Sequence, residues 1–377
     1  MSQFLGEMQG LDNAVIKKKI YSSYKAEIQR LFGLRASGHL LPKEAILSLV
    51  SPAAAEYMEP MAQLAKKMTA QRFGRTVQIY APLYVSNYCA NECVYCGFNA
   101  RNQVARRTLN LDEVMQEGLA LHDKHIHQLL LVTGECPNEV SPDYLAEIAT
   151  ALKPIYPSIA VEVYPLEDEG YKTLSKSGVD GLTIYQETYD RETYAQAHPG
   201  GPKRNYEYRL ATAERGGGAG FRQLGIGALL GLADWRLEAY YLMLHALFLS
   251  KHYWKSQVSI SFPRLRPAAG GYQPPHPVTD RELVQMICAL RLVLPDVGLV
   301  LSTRESPQFR DSMIGIGVTK MSAGSRTSPG GYLDEQGHDA EEQFAVHDTR
   351  TVEEVVDSIR SRGYDPVYKD WDKGFEG

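Results

Sequence analysis

Apolar residues recur near helical spacing at Val15, Ile16, Ile20, Tyr24, Ile28 and Leu31, and the same period continues over 45–64. About the first seventy residues are therefore expected to be helical. Beyond them, short apolar runs rich in β-formers alternate with longer amphipathic stretches, the pattern of repeated βα units around a parallel sheet. The expected strands are 78–86, 128–133, 158–164, 181–185, 222–228, 257–262, 298–302 and 317–321. Asn110 with Glu113 makes a capping-box start for one intervening helix, and Ser141-Pro142 supplies a cap and a first-turn proline for the next. Eight units predict an α/β fold of the (βα)8 TIM-barrel type. A doubly wound open sheet shares the alternation, but a cysteine-rich loop follows the first strand, where a barrel carries its catalytic loops. The expected organisation is a helical extension over 1–75, the barrel over 76–325 and a C-terminal extension over 326–377. That last part is expected to pack on the barrel through a helix over 352–362 and the tail that follows it.

Composition narrows the class without naming a chemistry. A chain of 377 residues, 44% hydrophobic and 23% charged, can bury one large core. Forty basic against forty-five acidic residues leave a formal charge of −5, too balanced to indicate nucleic-acid or membrane binding. No apolar run approaches the ~20 residues of a membrane span, and the start lacks the basic and apolar regions of a signal peptide, so a cytoplasmic location is expected. Five cysteines, three of them clustered, do not read as a disulfide framework. Cys288 falls on an apolar helical stretch and is expected to be a buried, inert thiol.

The clustered three carry the chemistry. Cys89, Cys93 and Cys96 form C-x-x-x-C-x-x-C within eight residues. Three thiolates on one short loop suit three irons of a [4Fe–4S] cluster, leaving one iron open to a reacting ligand. A structural zinc site is the alternative. It usually takes four ligands, often in two pairs separated by a dozen or more residues, and no second pair exists here, although Cys136 or a histidine would complete it.

With Tyr95 just before the third cysteine, the loop resembles that of the radical S-adenosylmethionine superfamily. The resemblance implies that the open iron chelates the amino and carboxylate groups of S-adenosylmethionine, whose reductive cleavage yields methionine and a 5′-deoxyadenosyl radical. It also implies cofactor contacts at the ends of successive strands. Thr133-Gly134-Glu135 resembles the Gly-Gly-Glu segment that meets the methionine amino group, with Thr133 in place of the first glycine. Glu162 interrupts an apolar strand and is expected at the barrel mouth, near the ribose. Gln186, Thr188 and Asp190 offer polar groups at alternate positions, and Gln186 and Thr188 are expected to contact ribose and methionine. Arg209 resembles the arginine of the methionine carboxylate, Gly225-Ile226-Gly227 resembles the strand beneath the adenine, and Tyr95 and Phe98 are expected to form an apolar wall for it.

Further segments narrow the resemblance. They are Gln186-Glu187-Thr188-Tyr189, His198-Pro199-Gly200-Gly201-Pro202-Lys203, 225–235, Ser302-Thr303-Arg304-Glu305 and 322–327. With them the chain is similar to the aromatic amino-acid lyases. The closing Lys369-Asp370-Trp371-Asp372 points to the tyrosine lyase (2-iminoacetate synthase) family of thiamine biosynthesis. The resemblance implies cleavage of the Cα–Cβ bond of L-tyrosine to p-cresol and 2-iminoacetate, after hydrogen abstraction from the substrate nitrogen. It further implies reduced flavodoxin or ferredoxin as electron donor and a thiazole synthase as protein partner.

Arg304, at the end of the seventh strand, is expected to bind the substrate carboxylate bidentately, with Ser322 as a second candidate. The plain alternatives are an ion pair of Arg304 with Glu305 and an ordinary loop hydroxyl at Ser322. A tryptophan lyase and the tyrosine lyase of [FeFe]-hydrogenase maturation are the neighbouring readings. The latter carries a second cluster on C-terminal cysteines, and no cysteine follows Cys288 here.

Overall fold

A computed structural model describes residues 2–333 and 342–368. Eight strands run parallel, each beside its sequence neighbour: β1 (Thr76–Ser86), β2 (Gln128–Thr133), β3 (Ser158–Glu162), β4 (Gly181–Glu187), β5 (Gln223–Ala228), β6 (Gln257–Ser261), β7 (Gly298–Leu301) and β8 (Lys320–Ser322). β1 pairs with β2 on one side (Ala81 opposite Leu129) and with β8 on the other (Gln78 opposite Lys320), so the sheet closes. The architecture is the expected (βα)8 barrel, not the open sheet. Closure leaves no exposed ladder among the eight and gathers every strand's C-terminal end around one mouth.

The intervening helices form where their caps predict. Asn110 and Glu113 make a reciprocal capping box at Leu111–Asp123, and Ser141 accepts from the Tyr144 amide ahead of Pro142–Leu152. Helix Asp280–Val293 is buried along most of its length, with Cys288 inside it as expected, and burial pushes that thiol up to about 12. Five short α-helices over residues 3–73 cover the barrel flank, again as the apolar period indicates. The first is pinned by Glu214, which accepts from the Gln3 amide at 2.8 Å and from the Ser2 hydroxyl. No helix among the described residues is long and apolar enough to cross a membrane.

Two differences from the expected elements have local causes. β8 begins at Lys320 because Gly317 takes φ +113°, a turn conformation incompatible with a strand. A ninth strand, β9 (Asp365–Val367), pairs in parallel with Thr76–Gln78 beyond helix Val352–Ser361. Its three residues centre on Pro366, which lacks an amide donor and reads as loop, yet an edge position tolerates it. The Lys369-Asp370-Trp371-Asp372 segment lies outside the described residues.

Register shifts occur between Tyr84 and Ser86 on β1 and between Tyr185 and Glu187 on β4, both at the mouth. A bulge re-aims the side chains that follow it, which bears directly on the site.

Candidate active site

The cysteine loop leaves β1 and is held by polar side chains on its own backbone. Arg106 donates to the carbonyls of Asn87 (2.6 Å), Phe98 (3.0 Å) and Asn99 (2.7 Å), and Asn99 donates to Cys93 O at 2.9 Å. One guanidinium thus gathers both ends of the loop. On its far side the loop touches Gly134 so closely that a Cβ there would collide with the Tyr88 carbonyl and lie 3.0 Å from Cys89 Cβ. Gly134 therefore serves approach to the cysteine loop itself.

Cys89, Cys93 and Cys96 line one cavity. Burial pushes the Cys93 thiol up to about 11 and the Cys96 thiol up to about 12. Such thiols stay protonated unless a cation takes them as thiolates, and three on one wall fit a polynuclear iron group. The Glu135 amide approaches Cys89 Sγ at 3.5 Å, an N–H aimed at a developing thiolate.

The remaining walls carry both signs of charge. Glu187 accepts from Lys203 Nζ at 2.7 Å and Arg209 Nη2 at 3.2 Å, while Arg209 Nε donates to Tyr185 O at 2.7 Å. Burial alone would raise the Glu187 carboxyl, but Lys203 and Arg209 together hold it below the ordinary value. Glu135 accepts from Asn91 Nδ2 at 2.6 Å, and Phe98 closes the apolar side. A zwitterionic ligand meets anionic and cationic partners here.

A second cavity lies beside the first, within the barrel. Tyr80, Tyr84, Tyr185, Ser302, Arg304 and Phe344 are among its lining, and Glu162 and Val132 line both cavities. Glu162 is thus the polar group at the junction. Burial pushes its carboxyl up to about 7 against the pull of Arg304. The Arg304 guanidinium lies 3.2 Å over the Phe344 ring. Its expected competitor Glu305 is engaged elsewhere, by Arg264 and by Arg266 at 2.8 Å.

The structure gathers Cys89, Cys93, Cys96, Phe98, Gly134, Glu135, Glu162 and Arg209 on the first cavity and places Arg304 on the second. Four expected contacts fall elsewhere. Gln186 donates weakly to Tyr206 O (3.4 Å), and Thr188 donates to Glu238 at 2.6 Å, both behind the strand. Glu187, with φ +69° after the bulge, takes the cavity position between them. Tyr95 is not in the lining. Its hydroxyl binds His198 Nε2 at 2.8 Å, while His198 Nδ1 faces the Tyr194 carbonyl at 2.7 Å. Since a carbonyl only accepts, Nδ1 carries the proton and Nε2 accepts from Tyr95. The buried Ser322 hydroxyl accepts from the Thr303 amide at 3.1 Å and meets the side chain of Tyr80 behind the second cavity's wall, so it orders the loop that bears Arg304.

Lys203 and Gln343 also line the first cavity, with no role expected from the sequence. Lys203 stands in the glycine-proline segment that carries the family resemblance, which points to its position and not to its role. Gln343, whose Oε1 accepts from the Tyr84 hydroxyl at 2.7 Å, comes from a polar stretch with no local signal.

Comparison with known proteins fits this geometry. The family model described as Radical SAM superfamily matches residues 83–244, and that of the Biotin and Thiamin Synthesis associated domain matches 261–365. The 2-iminoacetate synthase of Escherichia coli (strain K12) is 44% identical over 99% of this chain and 97% of its own length. That of Salmonella typhimurium (strain LT2) is 43% identical over the same shares.

The chain belongs to the 2-iminoacetate synthase family.

Among solved structures it is similar to HydG, a maturase of the [FeFe]-hydrogenase, with TM-score 0.89 and 30% identity over 95% of this chain and 80% of that one. The HydG of Carboxydothermus hydrogenoformans gives 0.84 and 33% over 92% and 80%. Methylornithine synthase (TM-score 0.73, 21% identity, covering 89% of this chain and 97% of that one) shares the fold.

Proposed function

We propose that this chain is a radical S-adenosylmethionine lyase that cleaves the Cα–Cβ bond of L-tyrosine to 2-iminoacetate and p-cresol, supplying the thiazole of thiamine. The observation that carries this reading is the junction at Glu162, where the cysteine-lined cavity meets the cavity of Arg304 and three tyrosines. Cys89, Cys93 and Cys96 would hold a [4Fe–4S] cluster. Such a cluster would supply one electron to S-adenosylmethionine, whose C5′–S bond would break to give methionine and the 5′-deoxyadenosyl radical that takes a hydrogen atom from the substrate and so becomes 5′-deoxyadenosine.

The chain's own residues bind, orient and shield. Glu135 and Glu187 offer carboxylates to the cofactor's ammonium and hydroxyl groups. Arg209 and Lys203 offer positive charge to its carboxylate, and Phe98 an apolar face. Arg304 receives the tyrosine carboxylate through its planar N–H fork. Tyr80, Tyr84 and Tyr185 wall the phenol ring and keep water from the reacting atoms. Glu162, between the two, accepts a hydrogen bond or proton from the substrate amino group. Reduced flavodoxin or ferredoxin fits as electron source, and a thiazole synthase as the protein that receives the unstable product, within the cytoplasm.

Anaerobic incubation of iron-reconstituted protein with S-adenosylmethionine, tyrosine and dithionite tests the reading. 5′-Deoxyadenosine and p-cresol are expected together. 5′-Deoxyadenosine without p-cresol would remove tyrosine as substrate, and stoichiometric zinc in place of iron and sulfide would end the radical reading altogether.

A further inference from the structure

The segment 342–348 crosses the mouth and is tied to both cavities. Gly97 N, one residue past Cys96, donates to Gln343 O at 3.0 Å, and Gln343 N donates to Thr327 O at 3.0 Å. The segment continues with Ala345 N on Pro267 O (2.9 Å) and with His347 N and Asp348 N on Thr303 O (3.0 Å each). Asp348, fully buried, pairs with Arg310 and with Arg350 at 2.7 Å. Backbone bonds at both ends and a buried ion pair hold this strap in one place. A Cβ on Gly97 would collide with the strap carbonyls of Glu342 and Gln343, so the cysteine loop and the strap are in direct backbone contact.

Two adjacent strap residues face two adjacent cavities. Gln343 lines the thiol cavity and Phe344 the aromatic one. Gln343 accepts from the Tyr84 hydroxyl, and the Phe344 ring lies under the Arg304 guanidinium. Among the described residues the Arg304 side chain makes no hydrogen bond and no ion pair, so this ring is its direct contact, with the Glu162 carboxyl acting on it at longer range. Stacking uses the face of a guanidinium and leaves the in-plane N–H groups available.

We propose that Phe344 is a positioning residue for the substrate: its ring holds Arg304 flat so that the guanidinium edge points at the amino-acid carboxylate, and Gln343 keeps that arrangement in register with the cysteine loop. The inference rests on the reading of Arg304 as the carboxylate site. Without the ring, only the longer-range attraction of the Glu162 carboxyl is left to hold this long side chain, which then samples several rotamers and must be ordered anew each time substrate binds. The cost falls on tyrosine binding, not on cofactor binding.

The test compares side chains at 344 in reconstituted enzyme. Phe344→Leu keeps apolar bulk but removes the π face, and should raise the KM for tyrosine roughly tenfold, about 1.4 kcal/mol, with iron content and the KM for S-adenosylmethionine unchanged. Phe344→Tyr restores the face and should return KM to within about twofold of the parent. Phe344→Met serves the same comparison if the leucine variant fails to hold iron. Equal KM values for the aromatic and aliphatic variants would overturn the proposal. Arg304→Ala separates the two layers: if it leaves the tyrosine KM unchanged, the carboxylate assignment falls first. If it abolishes tyrosine binding while Phe344→Leu behaves as the parent, only the positioning role falls.

Discussion

Lys203 Nζ donates to Glu187 Oε1 at 2.7 Å inside the thiol-lined cavity, with both side chains largely out of water. A buried pair of this kind contributes less by its own attraction than its breakage costs, because removing one partner strands the other charge. Arg209 shares the same oxygen at 3.2 Å, so the cavity keeps one cation when Lys203 is lost.

Lys203→Met should therefore destabilise the protein by about 1–3 kcal/mol, below the ~3–5 kcal/mol of a fully orphaned charge. It should also weaken S-adenosylmethionine binding at least about tenfold. Thermal unfolding and isothermal titration measure the two effects. Adding Glu187→Gln should destabilise the protein further, because it leaves the buried Arg209 guanidinium without its carboxylate partner, and should leave binding weak. A double variant as stable as the single one would show that the Glu187 carboxylate is not what holds the two cations.

Glu162 offers a pH test. Its carboxyl, pushed up to about 7 from an ordinary 4.5, binds a proton in the folded chain over a range where the unfolded chain has lost it. The resulting stabilisation is fully present below the ordinary value and is lost as pH rises through about 7. Glu162→Gln cannot ionise, so the variant should melt a few degrees above the parent at pH 8, relative to their difference at pH 5. The comparison is made without bound S-adenosylmethionine. An identical offset at both pH values would remove the buried carboxyl as its cause.

Gly134→Ala introduces a methyl group against the backbone carbonyl of Tyr88 and against Cys89. Backbone cannot swing aside as a flexible side chain does, so the cysteine loop must shift. Iron bound after reconstitution should fall by roughly half or more while the helical signal remains. Full iron occupancy in this variant would show that the loop has slack.

Arg106→Lys tests the other side of the same loop. A lysine ammonium cannot reach three divergent carbonyls in the guanidinium's fork geometry, so the charge is kept and the brace is lost. Iron should dissociate faster, by roughly tenfold, when chelator is added. Unchanged release kinetics would assign Arg106 to folding alone.

Much of this was legible in one dimension. Eight apolar runs and their caps are local properties, and they predict the barrel because a parallel strand buried on both faces must be apolar and each crossover helix must start at a cap. Cys89, Cys93 and Cys96 are legible for the same reason: their spacing alone sets how many thiols one loop can present. Two of the four expected contacts that fall elsewhere lie where a backbone irregularity changes the facing side. Alternation along β4 predicts Gln186 and Thr188 at the cavity, but the bulge and the positive φ at Glu187 turn that residue to the cavity instead. No pattern of hydrophobicity records a one-residue slip at a strand end.

The sequence by itself determined the number of βα units, the cysteine chemistry and, through the resemblance of whole segments, the family. Only the tertiary structure decided which residues meet: Lys203 with Glu187, Tyr84 with Gln343, and Arg304 with Phe344. Tyr84 and Gln343 are 259 positions apart, and their contact depends on barrel closure and on the path of the strap. Local propensity acts over a few residues. The partners of a buried charge or an unpaired guanidinium are instead chosen by whichever distant segment the closed barrel brings beside them.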